Sequence, residues 1–267
     1  MIEELLREHG VHPNTEMDQH FLDSEDIILK EVEEAEISSE DTVLEIGGGV
    51  GNLTEKLAES AGKVLTVEKD SKLVKVLRER FRDTENVEVI EGDFLELKDD
   101  LEYDRCVSNP PYNLSSEIVE ELGKKEVMSV LLLQKDFVDK LIAKPGSDSY
   151  SFFTVMTNFY FIPVFLKEVS RSSFIPEPEV DSALVKLFPR KKGFRVERET
   201  FERTARALFT HRRKKVRNAM VDSRHILEME KKRLKEIRDK IPYSGERVVN
   251  LDVRKVAEIA EFLEEKR

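Results

Sequence analysis

The chain has 267 residues, 39% of them hydrophobic and 37% charged, so it can bury a sizeable core in one large domain or in one domain with a small appendage. The single cysteine excludes an internal disulfide and favours a reducing cytoplasm, and we expect neither a signal peptide nor a membrane span. The formal net charge of −11 argues against a nucleic-acid partner for the chain as a whole, although the charge is unevenly placed.

Strands and helices are predicted to alternate through the first part of the chain. Short β-branched or apolar runs predict strands at 41–46, 63–67, 87–90, 103–108, 127–134, 161–169 and 181–188. Apolar residues at helical spacing predict helices within 17–36, from 53 onward, and at 70–82, 115–122, 135–143 and 150–160. Such alternation indicates a mostly parallel, seven-stranded sheet with right-handed crossovers.

The last part of the chain has helical patterning only. After a basic connector at 190–195, helices are predicted at roughly 199–210, 213–221, 226–240 and 252–265. Residues 190–267 contain 24 Lys and Arg against 14 Asp and Glu, whereas residues 1–189 contain 20 against 41. We therefore predict an α/β domain at 1–188 and a small all-helical domain at 189–267, with any polyanion bound mainly by the second.

Four groups of residues stand where predicted parallel strands end, which is the edge at which open α/β sheets bind ligands. They are Gly47–Gly51, Glu68, Asp93 and Asn109–Tyr112. Glycines let a ligand approach the backbone closely. Glu68 follows the first glycine at about the distance expected of an acidic residue that accepts hydrogen bonds from a ribose diol.

The glycine spacing separates two nucleotide-binding interpretations. A nicotinamide dehydrogenase would need G-x-G-x-x-G, with a helix N-terminus free for pyrophosphate. The sequence instead has Gly47, Gly49 and Gly51, which looks like the methyltransferase version, where the loop holds the amino-acid half of S-adenosylmethionine. Asp93 would then accept from the adenine amino group of that cofactor and Phe94 would line its pocket, unless Asp93 only forms a turn.

The turn Asn109-Pro110-Pro111-Tyr112 follows a short apolar strand. Two consecutive prolines stop both a helix and a strand, so the turn presents the Asn109 carboxamide and the Pro110 carbonyl as acceptors beside the ring of Tyr112. That combination suits a planar group bearing an amine, although a strand-ending turn with a surface tyrosine would have the same sequence.

Motifs along nearly the whole chain have the order and spacing of the ribosomal RNA adenine dimethyltransferases, which the sequence resembles. They are Gln19-His20-Phe21-Leu22, Glu45-Ile46-Gly47, Glu68-Lys69-Asp70, Glu91-Gly92-Asp93, Asn109-Pro110-Pro111-Tyr112-Asn113, Leu133-Gln134-Lys135, Pro145-Gly146-Ser147, Phe174-x-Pro176-x-Pro178-x-Val180-Asp181-Ser182 and Arg212-Arg213-Lys214. The resemblance is to the branch that modifies small-subunit RNA. The chain departs from many relatives at His20, where they have Asn, at Gly48, where they have Pro, and at Ser151, where Gly is usual.

The resemblance implies a class I, Rossmann-like methyltransferase that dimethylates N6 of two adjacent adenines in a hairpin near the 3′ end of small-subunit RNA. Its implied cofactor is S-adenosylmethionine, with contacts from His20, Leu22, Gly47, Gly49, Glu68, Asp93, Phe94 and Asn109. The implied catalytic residues are Asn109, Pro110, Tyr112 and Phe174. We expect Tyr112 and Phe174 to stack on the two faces of a flipped adenine, unless Phe174 is a core residue.

Two basic stretches are predicted to bind RNA phosphates, although charge runs are often solvated helix faces. The candidate residues are Lys191, Lys192, Arg195, Arg212, Arg213, Lys214, Lys215 and Arg217. The five histidines show no metal-ligand spacing, so no metal is expected. The expected partner is small-subunit ribosomal RNA within a precursor particle, bound by a monomer in the cytoplasm, with no membrane involved.

Several alternatives remain at this point. A large-subunit dimethylase of the antibiotic-resistance kind shares the catalytic turn. A DNA-adenine or glutamine methyltransferase could use the same turn, because each substrate presents a poorly nucleophilic amide-like nitrogen. A ribosome-assembly factor could bind RNA with only incidental catalysis, and a nicotinamide dehydrogenase fits least well.

Overall fold

The structure, a computed structural model, describes residues 2–13, 19–190 and 194–266. The chain forms two compact units, Met1–Val138 with Pro163–Pro189 and Asp139–Ile162 with Arg190–Arg267. The segment Asp139–Ile162 therefore groups with the C-terminal part, in contrast to the division at residue 188 that the sequence predicts. Its apolar residues, Tyr150 and Val155 among them, are buried in one cluster with the C-terminal helices, which the order of elements along the chain cannot reveal.

The strands confirm the mostly parallel, seven-stranded sheet. They are β1 (Phe21–Leu22), β2 (Thr42–Ile46), β3 (Lys63–Glu68), β4 (Val87–Glu91), β5 (Arg105–Ser108), β6 (Met128–Gln134), β7 (Phe161–Val169), β8 (Phe174–Ile175) and β9 (Ser182–Pro189). The sheet order is β4-β3-β2-β5-β6-β9-β7, with parallel pairing from β4 to β6 and β9 antiparallel to β6. Strands β1 and β8 pair separately, and the sequence does not predict them because two residues are too short to show a period.

Most helices follow the predicted pattern, except that two short helices, Ile2–Glu8 and Phe94–Leu97, are not predicted and one predicted helix is divided. They are α1 (Ile2–Glu8), α2 (Glu25–Glu34), α3 (Asn52–Ala58), α4 (Ser71–Arg80), α5 (Phe94–Leu97), α6 (Ser115–Lys124), α7 (Lys135–Leu141), α8 (Phe152–Tyr160), α9 (Arg198–Phe209), α10 (Val216–Asp222), α11 (Arg224–Leu227), α12 (Lys231–Ile237) and α13 (Val253–Glu265). The helix predicted at 226–240 is interrupted because Glu228, with φ +54°, adopts a left-handed conformation that ends α11. Within the described ranges, no helix combines the length and apolarity that a membrane crossing requires.

The core of the first unit holds the strand ends in place. Branched and straight apolar side chains of β2, β3, β5 and β6 pack with those of α2 and α3, and the fully buried members include Val43, Val64, Val107 and Val130. Burying each such side chain contributes roughly 1.5–3 kcal/mol. Because these strands are parallel and in register, their carboxyl ends lie at one edge of the sheet.

The second unit has an aromatic and aliphatic core of its own. The Phe159 ring stacks on Phe201 with centroids 4.1 Å apart. The buried Tyr150 hydroxyl donates to the carbonyl of Leu251 at 2.6 Å, which joins the loop before α8 to the segment before α13. Ser151 caps α8 by accepting from the Thr154 amide, so the serine that departs from the related sequences acts as an N-cap here.

Candidate active site

Two adjoining cavities, of about 280 and 50 Å³, open at the carboxyl ends of the parallel strands. Both are lined by His20, Phe21, Gly47, Gly49 and Asn109. The larger cavity also contacts Glu68 and Asp93, and the smaller one contacts Leu22 and Glu45. The fold thus brings together all the predicted cofactor residues except Phe94, which is buried as the first residue of α5.

The glycine loop after β2 presents its backbone to the cavities. Gly47 and Gly49 have φ values of +82° and +56°, which glycine adopts without strain. A Cβ atom on Gly49 would lie 3.1 Å from the Phe21 ring, and one on Gly48 would lie 2.2 Å from Thr66 Oγ1. A side chain would therefore clash at position 48 and crowd the Phe21 ring at position 49, and proline at position 48 would not fit this packing.

Two carboxylates flank the loop and already accept hydrogen bonds from the protein. Glu68 accepts from the Gly49 amide at 3.0 Å and from the Asp70 amide at 2.9 Å. Burial raises the pKa of Glu68, and these backbone bonds oppose that shift. The Lys69 ammonium, 2.8 Å from Asp93, holds the pKa of that carboxyl below its usual value. Asp93 also caps α5, so the turn-forming role and a cofactor contact are compatible.

Hydrogen bonds join the end of β5, just before the Asn109–Tyr112 turn, to the neighbouring strand β2. The Ser108 hydroxyl donates to the carbonyl of Ile46 at 2.6 Å and accepts from its amide at 3.1 Å. Next to it, orienting the Asn109 carboxamide by its hydrogen-bond partners places the amide nitrogen 2.8 Å from Glu31 Oε1 and 3.2 Å from the Ser108 carbonyl. Pro110 is buried, whereas Asn109 is half-buried and faces both cavities.

The planar side chain of Tyr112 in this turn and that of His20 beside it both contact residues of the 174–182 motif. The rings of His20 and Tyr112 are 6.5 Å apart between centroids and within 16° of parallel. His20 Nδ1 lies 2.8 Å from the carbonyl of Pro176, and the Tyr112 hydroxyl lies 2.7 Å from Ser182 Oγ. The motif that begins at Phe174 therefore positions both rings through its later residues.

Phe174 itself lies in the core rather than in the described lining of the cavities. It is only 5% exposed, pairs with Leu22 between β8 and β1, and packs in the apolar cluster under the sheet. A buried phenylalanine stabilises the loop, but this position does not give the second stacking face that the resemblance implies.

Glu31 and Glu45 are buried carboxyls, of which Glu45 lines the smaller cavity, and the sequence motifs assign neither to catalysis. Glu45 accepts from Thr54 Oγ1 at 2.5 Å, and burial raises the pKa of Glu45 to about 8. Burial likewise raises the pKa of Glu31 well above its usual value. One signal was present for Glu31, because it shares the apolar face of α2 with Ile27 and Ile28, where an acidic residue is out of place.

A family model described as "Ribosomal RNA adenine dimethylase" matches residues 11–265. The chain belongs to this family. A protein of Thermococcus sibiricus named "Probable ribosomal RNA small subunit methyltransferase A" is 38% identical over 263 residues, which cover 97% of this chain and 95% of that protein. A protein of the same name from Methanococcoides burtonii is 40% identical over 267 residues, covering 98% and 97%.

Two solved structures are similar to this adenine dimethylase over most of its length. A dimethyladenosine transferase from Plasmodium falciparum has a TM-score of 0.84 and 28% identity, covering 92% of this chain and 98% of that one. The 23S rRNA methyltransferase ErmE has a TM-score of 0.69 at the same 28% identity, covering 91% and 99%. The family and the fold confirm an enzyme that methylates ribosomal RNA.

The predicted RNA-binding residues of this enzyme differ in the hydrogen bonds and ion pairs that they form within the second unit. Arg212 donates to the carbonyls of Ser147 and Asp148 at 3.2–3.3 Å, so it holds a loop. Two others pair with carboxylates, Lys214 with Asp222 at 2.7 Å and Arg217 with Asp239 at 3.7 Å. Three exposed candidates have no described ion pair, namely Arg195, Arg213 and Lys215.

Lys191 and Lys192 lie outside the described residues. In the described part of the chain, no group of three or more His, Cys, Asp or Glu side chains is arranged to hold a metal ion.

Proposed function

We propose that the chain dimethylates N6 of two adjacent adenines, in a hairpin near the 3′ end of small-subunit ribosomal RNA, with S-adenosylmethionine as donor. The observation that carries the proposal is the position of Asn109, a carboxamide at the wall shared by both cavities and next to the glycine loop. The names of the relatives at 38% and 40% identity support the small subunit as the source of the RNA.

The residues around the larger cavity suit S-adenosylmethionine. Bare backbone at Gly47 and Gly49 leaves space for the amino-acid half, while Glu68 and Asp93 offer acceptors for the ribose and the adenine amino group. Buried carboxyls at Glu31, Glu45 and Glu68 favour a cationic ligand over the anionic pyrophosphate of a nicotinamide cofactor. When bound, S-adenosylmethionine supplies an electrophilic methyl group on a sulfonium.

Asn109 and Pro110 are proposed to activate the target amine by accepting its hydrogen bonds. The adenine N6 lone pair is delocalised into the ring, which makes N6 a poor nucleophile. Hydrogen bonds from N6 to Asn109 Oδ1 and to the Pro110 carbonyl favour a pyramidal nitrogen and direct its lone pair away from both acceptors. No strong base is needed, because the alkylated nitrogen loses its proton readily, so positioning and preorganised acceptors supply the catalysis.

The flipped adenine is proposed to stack between His20 and Tyr112 rather than against Phe174. The distance of 6.5 Å between the two ring centroids is close to twice the spacing of stacked bases, about 3.4 Å, and the ring planes lie within 16° of parallel. Base–aromatic stacking contributes about 1–3 kcal/mol per base, which offsets part of the cost of unstacking the RNA. Histidine at position 20 would thereby serve as a planar wall, a role that asparagine fills less well.

We propose that the first unit is catalytic and that the second binds RNA. Arg195, Arg213 and Lys215 are the best described candidates for phosphate contacts because they are exposed and have no described ion pair. Contacts by Arg212, Lys214 and Arg217 would require them to exchange or share their present partners. RNA contacts by Lys191 and Lys192 stay predictions of the sequence. The same holds for the prediction that the enzyme acts as a monomer in the cytoplasm on a precursor particle.

The proposal is tested by single-turnover methylation of undermethylated small subunits with labelled S-adenosylmethionine. Asn109→Ala is expected to lower the rate by about 10²- to 10³-fold, because one preorganised acceptor is removed, while cofactor binding persists. Large subunits, duplex DNA and protein substrates serve as parallel controls. Wild-type transfer mainly to one of these controls, or an unchanged rate for Asn109→Ala, would contradict the proposal.

A further inference from the structure

Glu31 is a fully buried acidic side chain on α2, whose neighbours on the same helix face are apolar. Among the described residues it forms no ion pair with a lysine, arginine or histidine. A buried carboxyl without a cation lowers stability, and an apolar residue of similar volume would pack there at less cost. Stability alone therefore does not account for glutamate at this position.

The contact that Glu31 makes is with the side chain of Asn109. When the Asn109 carboxamide is oriented by its hydrogen-bond partners, its nitrogen lies 2.8 Å from Glu31 Oε1 and directs its second hydrogen to the Ser108 carbonyl at 3.2 Å. The opposite orientation of the amide would set its oxygen against these same two acceptors. The two acceptors thus favour the orientation in which the Asn109 nitrogen faces Glu31 and Ser108 and the amide oxygen points away from them.

The consequence for Asn109 is that both amide hydrogens are used inside the protein. Oδ1 is then the end of the carboxamide left for a ligand in the cavities that Asn109 lines. Ser108 is itself fastened to β2 through Ile46, so the backbone acceptor cannot rotate away. Without Glu31, one of the two constraints on the amide is removed and rotation of the carboxamide becomes easier.

The electrostatic surroundings of Glu31 add to this effect. Burial raises its pKa, the hydrogen bond from Asn109 opposes the shift, and the nearby Glu45 raises it further. Oε1 accepts from the Asn109 amide when Glu31 is a carboxylate, and also when Glu31 is a neutral acid whose proton is on the other oxygen. An acceptor beside the nitrogen polarises the amide, which increases the negative charge on Oδ1.

We infer that Glu31 is a positioning residue that orients the Asn109 carboxamide, so that Oδ1 accepts from the substrate amine. The inference rests on the proposed adenine methylation, because it assigns Asn109 Oδ1 to that amine. Glu31 does not touch the substrate and acts only through Asn109.

The test compares Glu31→Met, Glu31→Gln and the control Glu33→Gln on the same helix. Glu31→Met keeps the volume and removes the acceptor, so the single-turnover rate is expected to fall by about 10- to 100-fold with unchanged affinity for S-adenosylmethionine. Glu31→Gln retains an amide oxygen and is expected to stay within about fivefold of wild type. Glu33→Gln should match wild type.

Two further measurements separate positioning from a structural role. The melting temperature of Glu31→Met is expected to equal or exceed that of wild type, because an uncompensated buried carboxyl has been removed. In ¹⁵N-asparagine-labelled protein, the side-chain amide signal of Asn109 is expected to shift in Glu31→Met and much less in Glu31→Gln.

An unchanged rate for Glu31→Met, with wild-type protein active on adenine, would refute the inference and leave the proposed function standing. Joint loss of rate, cofactor affinity and melting temperature would also refute it, since that is the pattern of a structural residue. Wild-type protein that does not methylate adenine would instead refute the proposed function, and the inference with it.

Discussion

Replacing Glu45 by glutamine should flatten the dependence of stability on pH. Burial raises the pKa of Glu45 from an ordinary value of 4.5 to about 8. The folded protein therefore keeps a proton that the unfolded chain releases above pH 4.5. The contribution of this proton to the free energy of unfolding is full below pH 4.5 and is lost progressively as the pH rises to about 8.

The size of this effect follows from the width of the pH interval. At about 1.4 kcal/mol per pH unit the loss has an upper limit of roughly 5 kcal/mol, which local relaxation and water entry reduce. Glu45→Gln keeps the shape and the acceptor for Thr54 but does not ionise. Its free energy of unfolding should fall less between pH 5 and pH 8 than that of wild type.

Urea unfolding at several pH values between 5 and 8 measures the difference directly. Burial also raises the pKa of Glu31 and Glu68, so both proteins retain some pH dependence and only the difference between them reports on Glu45. Glu40→Gln, a change at an exposed position, is the control. Equal pH slopes for wild type and Glu45→Gln would refute the reasoning.

Three other predictions follow from the same contacts. Gly49→Ala should lower the free energy of unfolding by about 1–3 kcal/mol more than Gly10→Ala. Both glycines have positive φ, but only a Cβ atom at position 49 would press against the Phe21 ring. Equal losses of unfolding free energy in urea would contradict this. Arg212→Ala should reduce thermal stability, because the hydrogen bonds of Arg212 to the 147–148 loop are removed. Arg213→Ala should keep thermal stability and should lower the slope of log affinity for RNA against log salt by about 1. The reverse pattern would show that Arg212 is the phosphate contact. Binding of S-adenosylmethionine at pH 7.5 should release more protons from the protein than binding of S-adenosylhomocysteine. Only S-adenosylmethionine carries a sulfonium charge, which would lower the pKa of the nearby buried carboxyls. Equal proton release, measured calorimetrically in two buffers, would contradict this.

The sheet and the strand-end cluster were predictable because they depend on local patterns. Continuous apolar runs marked the parallel strands, and parallel strands necessarily bring Gly47, Glu68, Asp93 and the Asn109 turn to one edge. The family followed from motifs distributed over nearly the whole chain, each fixed in spacing by the elements between them.

The contacts that complete the site join residues far apart in sequence, and no local pattern predicts them. Glu31 contacts Asn109, which is 78 positions away in the sequence, and His20 contacts Pro176, which is 156 positions away. The burial of Phe174 depends on its pairing with Leu22, in a strand of two residues that is too short to be recognised. The division into units likewise depends on tertiary packing.

The central claim, adenine dimethylation directed at small-subunit RNA, is tested most directly by mapping the modified bases. Undermethylated small subunits are incubated with the wild-type protein and labelled S-adenosylmethionine, and the RNA is digested and analysed nucleotide by nucleotide. The account predicts N6,N6-dimethyladenine at two adjacent positions in one hairpin near the 3′ end. Label in large-subunit RNA, in DNA or in protein, with none in small-subunit adenines, would contradict it.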